Sequence, residues 1–199
     1  MTVNKNTYPP EYWDKFYKNR KLGWDIGYVS TPLKIYFDQL TNKKIKILVP
    51  GAGSSWEVEY LFKQGFNNTY LLDFSKEAVN LFLTRFPDFP QNRILIEDFF
   101  THKGKYDLIV EQTFFSSIPR SRRKEYANKM YELLKPKGKL AGLIFNHEFD
   151  FSEPPFGGTP QEYKNIFSEK FNFKHFSTAY NSIKPRKGRE LFFVFEKKD

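Results

Sequence analysis

Two glycines and three carboxylates stand where an adenosine-type ligand would need them. An apolar run from Ile45 to Val49 leads into a turn containing Gly51 and Gly53, followed by Val58, Leu61 and Phe62 at helical spacing. A second apolar run, Thr69 to Leu72, ends on Asp73. Short runs of this kind suit parallel strands buried on both faces. Glycine has no Cβ, so the turn can be tight and a ligand can approach its backbone. An acid at the second strand tip of such a sheet hydrogen-bonds ribose hydroxyls. The dinucleotide fingerprint asks for a third glycine, and Trp56 takes that place. On the glycines alone, a bare strand-to-helix connection is an equal reading.

Asp98 and Glu111 follow the third and fourth apolar runs. Asp98 can accept from an exocyclic adenine amino group while Phe99 stacks on the ring. Any one of these acids can instead cap a neighbouring helix or loop. Three strand tips in succession after a glycine turn favour the adenosine site. Metal and thiol chemistry find no support: there is no cysteine, and His102, His147 and His175 lie on separate segments.

The elements that must position these groups follow in chain order. Pro9 to Tyr17 predicts a short helix behind a proline pair, with Trp13, Phe16 and Tyr17 on it and Gly23, Trp24, Asp25 and Gly27 in the next loop. This segment is either a flap packed on the core or a lid over a ligand. Thr31-Pro32 opens a second helix, and Ser75 caps one that runs to about Arg85. Strands are expected at 93–97, 105–110 and 140–145, with a helix after Pro119 and a turn at Pro136-Lys137-Gly138. A helix over 161–169 then precedes two apolar stretches, 171–180 and 191–196, which should pair as an antiparallel hairpin at the sheet edge. The fold class is α/β: a Rossmann-like doubly wound sheet of seven strands, five parallel plus a C-terminal antiparallel hairpin, with helices on both faces. One domain over 1–199 is expected, with 1–40 as an N-terminal helical lid.

Composition narrows the function. The net charge of +9 comes from 32 Lys and Arg against 23 Asp and Glu, and the densest basic cluster is only Arg120-Ser121-Arg122-Arg123-Lys124. Dispersed charge reads as a Lys-rich surface rather than a nucleic-acid footprint. The 23 Phe and 12 Tyr must mostly serve as core. No apolar run is long enough to span a bilayer, and the polar start lacks a signal-peptide core, so a cytoplasmic location is expected.

In these motifs the chain resembles the class I S-adenosylmethionine-dependent methyltransferases, and in particular the family that unites thiopurine S-methyltransferases with the plant thiol and halide methyltransferases. The resemblance rests on Trp13 with Tyr17, Trp24-Asp25-x-Gly27 with Thr31-Pro32-Leu33, Leu48-Val49-Pro50-Gly51-Ala52-Gly53, Asp73-Phe74-Ser75, Asp98-Phe99-Phe100, Thr113-Phe114-Phe115-x-x-Ile118, Met130 to Pro136, Pro154-Pro155-Phe156, and Ile183-x-x-Arg186-Lys187-Gly188-x-Glu190. It implies that Trp13, Tyr17 and Trp24 close over the cofactor. Gly51, beside Gly53, meets its methionine part, Asp73 its ribose, and Asp98 with Phe99 its adenine. Glu111 and Gln112 flank the sulfonium end. Ser54-Ser55 depart from the family's further glycine, and Tyr17 stands where plant members have Trp. Gln112 replaces the Arg of thiopurine enzymes, and Thr113-Phe114-Phe115 follows the plant pattern. The Glu153-Pro154-Pro155-Phe156 run looks like an amide-methylase motif, but it follows strand five instead of strand four and reads as a pocket wall.

The function expected is methyl transfer to a small soft nucleophile: a thiol, thiopurine, hydrosulfide, thiocyanate or halide. Phe114, Phe115, Phe145 and Phe156 would strip water from the anion, and Arg186 would draw it to the mouth; a surface Arg in a basic loop is the bland alternative. Such acceptors need no protein base, so no catalytic side chain is assigned. A small-molecule O- or N-methyltransferase would need one, with His147 or Glu148 as candidates. A basic nucleic-acid-binding protein is the remaining alternative. A monomer acting on a small molecule, with no metal and no membrane partner, is expected.

Overall fold

Parallel strands β1 (Ile47–Pro50), β2 (Thr69–Leu72), β3 (Ile94–Leu95), β4 (Tyr106–Gln112) and β5 (Leu134–Phe145) are joined by β6 (Phe171–Thr178) and β7 (Glu190–Lys197) in one sheet. The structure is a computed structural model that describes residues 8–199; the first seven residues of the expected lid lie outside those described. The strand order is β3-β2-β1-β4-β5-β7-β6. β7 runs antiparallel to both β5 and β6, so the tail hairpin folds back and slots its second strand beside β5. The sequence pattern predicted the antiparallel pair, and the structure adds which strand lies inside.

Alternation along the strands sorts the core. Ile47, Val49, Leu108 and Val110 face a cluster with Leu33, Phe37, Val58, Leu61, Val79 and Phe82. These come from helices α2 (Thr31–Asp38), α3 (Trp56–Lys63) and α4 (Lys76–Arg85). Leu48 and Ile109 point the other way, onto Tyr126, Met130, Tyr163 and Phe167 of α5 (Arg123–Leu133) and α6 (Pro160–Phe167). Period-two side chains thus cover both faces, and each fully buried Leu or Phe contributes roughly 1.5–3 kcal/mol over leaving it exposed.

Local signals set the helix starts. The Ser75 hydroxyl accepts from Ala78 N at 3.1 Å and caps α4, and Thr159 does the same for Glu162 N at 3.2 Å at α6. Pro10 opens α1 (Pro10–Lys18), where a missing N–H costs nothing. Two strand bounds differ from expectation. β3 keeps only two residues, and β5 begins at Leu134, taking Pro136-Lys137-Gly138 into the strand across a register shift opposite Tyr106 to Leu108. Among the described residues no helix is long and apolar enough to cross a membrane.

Candidate active site

The carboxyl ends of β1, β2 and β4 open on a cavity of about 870 Å³. Gly51 follows β1 with φ of +56°, and a Cβ there would come within 2.2 Å of the Phe114 ring. Only glycine fits both the left-handed backbone and the ring above it. Gly53 also has a positive φ, and a Cβ on it would meet the Tyr17 hydroxyl at 2.7 Å. Its N–H donates to Asp73 Oδ2 at 2.8 Å, while Ser75 N donates to Oδ1 at 2.9 Å. Asp73 therefore ties the glycine turn to the tip of β2. Burial raises its pKa to about 6, and the nearby Asp14 charge adds to this, against backbone donors that pull it down.

The segment from Tyr8 to Ser30 roofs the cavity through polar anchors. The Ser75 hydroxyl donates to Asp14 Oδ1 at 2.6 Å, and the Tyr12 hydroxyl donates to Glu153 Oε2 at 3.1 Å. Asp25 is the densest of these. Its Oδ1 accepts from Gly27 N and from Trp56 Nε1, each at 2.7 Å, and the Ser54 hydroxyl donates to Oδ2. Arg85 stacks its guanidinium 3.6 Å from the Trp56 ring and donates to Ser54 O at 2.5 Å. The two residues that depart from the glycine fingerprint, Ser54 and Trp56, are thus the ones that grip the loop above. Trp13 and Trp24 meet edge to face at 5.8 Å within this roof.

The far half of the cavity is aromatic. Phe114, Phe145, Phe149 and Phe151 line it with Pro154 and Pro155. Phe149 stacks on Phe145 edge-on at 4.9 Å and lies parallel to Phe151 at 5.6 Å. Arg186 also faces this half, but it is not a free surface cation. Its Nη2 donates to Trp24 O at 2.6 Å, and its Nη1 donates to Glu190 Oε1 at 3.2 Å. Its side chain is 11% exposed and that of Glu190 4%. It straps the roof to the start of β7.

Ten of the expected residues border the cavity together: Trp13, Tyr17, Trp24, Gly51, Asp73, Asp98, Phe99, Phe114, Phe145 and Arg186. Five do not. Gly53 acts one step back, through Asp73. Glu111 needs the plainest correction. Period two along β4 turns it onto the α5 face, where Phe115 N donates to Oε1 at 2.9 Å and the Tyr126 hydroxyl donates to Oε2. It is fully buried, and that burial raises its pKa to about 7 against those donors. Gln112 takes the opposite face, clear of the cavity wall. Phe115 packs in the core against Tyr126 and Tyr163. Phe156 shares with it only a separate void of about 10 Å³. Sequence reasoning also missed Asp25 as an anchor and Phe149, Phe151 and Arg189 as wall residues, and it weighed His147, which lines the wall too, only as a base. The aromatic alternation Phe145, Phe149, Phe151 was the available signal.

The residues present fit S-adenosylmethionine. Each Asp73 oxygen has one backbone donor and so keeps an acceptor site for a ribose hydroxyl. Asp98 commits Oδ1 to Phe100 N at 2.9 Å, which leaves Oδ2 for an amino group beside Phe99. A volume near the top of the ~300–1,000 Å³ usual for small-molecule sites leaves room for an acceptor as well.

Comparison with known proteins places the chain in a family. The family model described as Thiopurine S-methyltransferase matches residues 8–198. A probable thiol methyltransferase 2 of Arabidopsis thaliana is 30% identical over 185 residues, with 89% of this chain and 81% of the relative covered. A thiopurine S-methyltransferase of Vibrio campbellii is 27% identical over 176 residues, covering 79% and 81%. Among solved structures, the magnesium protoporphyrin IX methyltransferase of Synechocystis, with bound S-adenosylmethionine, superposes with a TM-score of 0.77 over 100% of this chain and 99% of that one. At 11% identity that likeness speaks for the fold alone.

Proposed function

The chain belongs to the thiopurine S-methyltransferase family and is an S-adenosylmethionine-dependent methyltransferase, and on that premise we propose that it methylates a small sulfur nucleophile, taken as its anion. One observation carries the reading: a single cavity runs from Gly51, Asp73 and Asp98 to a wall of Phe114, Phe145, Phe149 and Phe151. When bound, S-adenosylmethionine supplies a methyl carbon on a sulfonium whose sulfur leaves with the bonding pair.

The chain's own residues do the rest. Asp73 holds the ribose and Asp98 with Phe99 the adenine, which fixes where the methyl group points. The aromatic half strips water from a thiolate and holds it in line, an arrangement with effective molarities of roughly 10⁵ to 10⁸ M at best. Arg186 keeps the roof shut over both. The alternative with an O- or N-acceptor loses its bases. His147 Nε2 is taken by Arg189 Nη2 at 2.7 Å, and the carboxylate of Glu148 is taken by Arg120.

The reading is tested by incubating the protein and cofactor with methanethiol, hydrosulfide, thiocyanate or a thiopurine, and following the methylated product by mass spectrometry. Methylation of at least one sulfur acceptor is expected. Turnover of a phenol or amine with none of the sulfur acceptors would overturn it.

A further inference from the structure

The two arginines of the acceptor half are not alike. Arg186 spends its guanidinium on Glu190 and a backbone carbonyl, so its charge is compensated inside the protein. Arg189, three residues on, also borders the cavity, and among the described residues it makes no ion pair. Among the described residues its side chain bonds the imidazole of His147, where Nη2 donates to Nε2 at 2.7 Å. The other ring nitrogen faces Arg189 O at 3.3 Å, so a single tautomer, with the proton on Nδ1, satisfies both contacts. Burial and the Arg189 charge both lower the pKa of His147, in keeping with a neutral ring. The pair is therefore a full positive charge held on a neutral support.

The mounting is firm for an exposed side chain. Asn146 N donates to Arg189 O at 3.1 Å and fixes the backbone to the end of β5. The His147 ring packs on Phe149 at 4.4 Å, and the guanidinium lies 5.9 Å from that same ring. The carboxylates that border the cavity, Asp73, Glu97 and Asp98, all belong to the cofactor half. An acceptor entering past Phe149 thus meets a cation with unused N–H donors and no cavity-lining acid beside it.

We propose that Arg189, held by His147, is a docking point for a carboxylate carried by the methyl acceptor at a distance from its sulfur, which makes anionic thiols the preferred substrate class. This rests on the sulfur-acceptor reading above. Arg189 decides which thiol is chosen, and the cofactor half is untouched by it.

The test uses three thiols of similar size and different charge: 3-mercaptopropionate, 1-propanethiol and cysteamine. Comparing the variant with the parent protein cancels their differing reactivities. With the parent, kcat/KM is expected to favour the carboxylate over the ammonium thiol. In Arg189→Gln the ratio of 3-mercaptopropionate to 1-propanethiol should fall about tenfold or more, the low end for a charge-assisted hydrogen bond. Arg189→Lys should restore part of it, which a merely structural residue would not show. An unchanged ratio in both variants overturns the subsite and leaves the sulfur-acceptor reading standing. Methylation of none of the three thiols, or of any other sulfur acceptor, by a protein that binds cofactor overturns both.

Discussion

The tips of β2 and β4 carry carboxylates in closely similar settings and use them for opposite ends. Asp73 and Glu111 are both buried, both accept backbone N–H groups from the loop beyond their strand, and both have raised pKa values, about 6 and about 7. Asp73 borders the cavity, while Glu111 is turned through the sheet onto Tyr126. The first is a cavity-facing acid that also braces a glycine turn. The second is a brace alone, holding the loop that carries Phe114 and Phe115. Being an acid on the carboxyl edge of the sheet is therefore not enough. The parity of the residue along its strand decides which side of the edge it serves.

Removing each side chain should break the pair apart in different observables. Glu111→Ala leaves the Phe115 N–H and the Tyr126 hydroxyl without an acceptor in the core and opens a void beside them. At roughly 1–3 kcal/mol for each stranded donor, the unfolding free energy should fall by about 3–5 kcal/mol. Denaturant titration measures this, and a loss under about 1 kcal/mol would place Glu111 somewhere other than this core. Asp73→Ala should act on affinity first. Calorimetry with S-adenosylhomocysteine should show binding weakened by about 2–4 kcal/mol, from charge-assisted ribose hydrogen bonds partly replaced by water. Equal effects of both variants on cofactor affinity would erase the distinction.

The place of Asp73 at the cavity edge was legible in the sequence because everything that defines it is local: a four-residue apolar run, a glycine turn before it, and a capping Ser after it. Glu111 was misread for a definable reason. Its strand was expected to end at Val110, so Glu111 was read as a strand-tip residue on the edge that faces the ligand. In fact β4 continues through Gln112, and the pleat sends Glu111 inward. The seven strands and their directions followed from alternation of patterns, but the placing of β7 inside β6 did not, since hairpin polarity is the same either way. Asp25 was hidden by distance. Its partners Ser54 and Trp56 lie 29 and 31 residues along the chain and read, one at a time, as defects in a fingerprint. Arg186 sits in a run of Lys and Arg that looks exposed, and its pairing with Glu190, four residues on, does not show in the pattern.

A smaller effect is expected from the clasp above the glycine turn. Asp25→Ala removes the acceptor for Trp56 Nε1 and Ser54 without touching the cofactor half itself. Affinity for cofactor should drop by about 1–2 kcal/mol, less than for Asp73→Ala, because the roof loosens while the ribose contacts persist. Tryptophan emission should shift to the red in the free protein as Trp56 loses its partner. Hydrogen exchange over residues 8–30 should quicken. Unaltered exchange there would mean that the other anchors, Asp14 with Ser75 and Arg186 with Trp24, hold the roof unaided.

The mildest test separates the two acids by pH. Asp73 must be ionised to accept two hydroxyls, so cofactor affinity should rise with pH through about 6 and level off above it. The change is at most about tenfold for each pH unit below that value, and a protonated carboxyl that still accepts one bond makes it less. Glu111 acts on folding with the opposite slope. Its folded pKa, about 7, lies above the unfolded value near 4.5, so between those values the folded state holds more protons than the unfolded one. Stability then falls as pH rises through that window and is flat beyond it. Asp73 shares this sign only up to about pH 6, while burial raises Glu57 and Glu190 in the same direction. The contribution of Glu111 is therefore read as a difference. Glu111→Gln should flatten the stability slope between pH 6 and 7 and keep the pH dependence of cofactor affinity. Asp73→Asn should abolish that dependence and leave the slope between pH 6 and 7 in place. If Glu111→Gln instead removed the affinity profile, the β4 carboxylate would be acting on the ligand, and the assignment of the two strand tips would have to be exchanged.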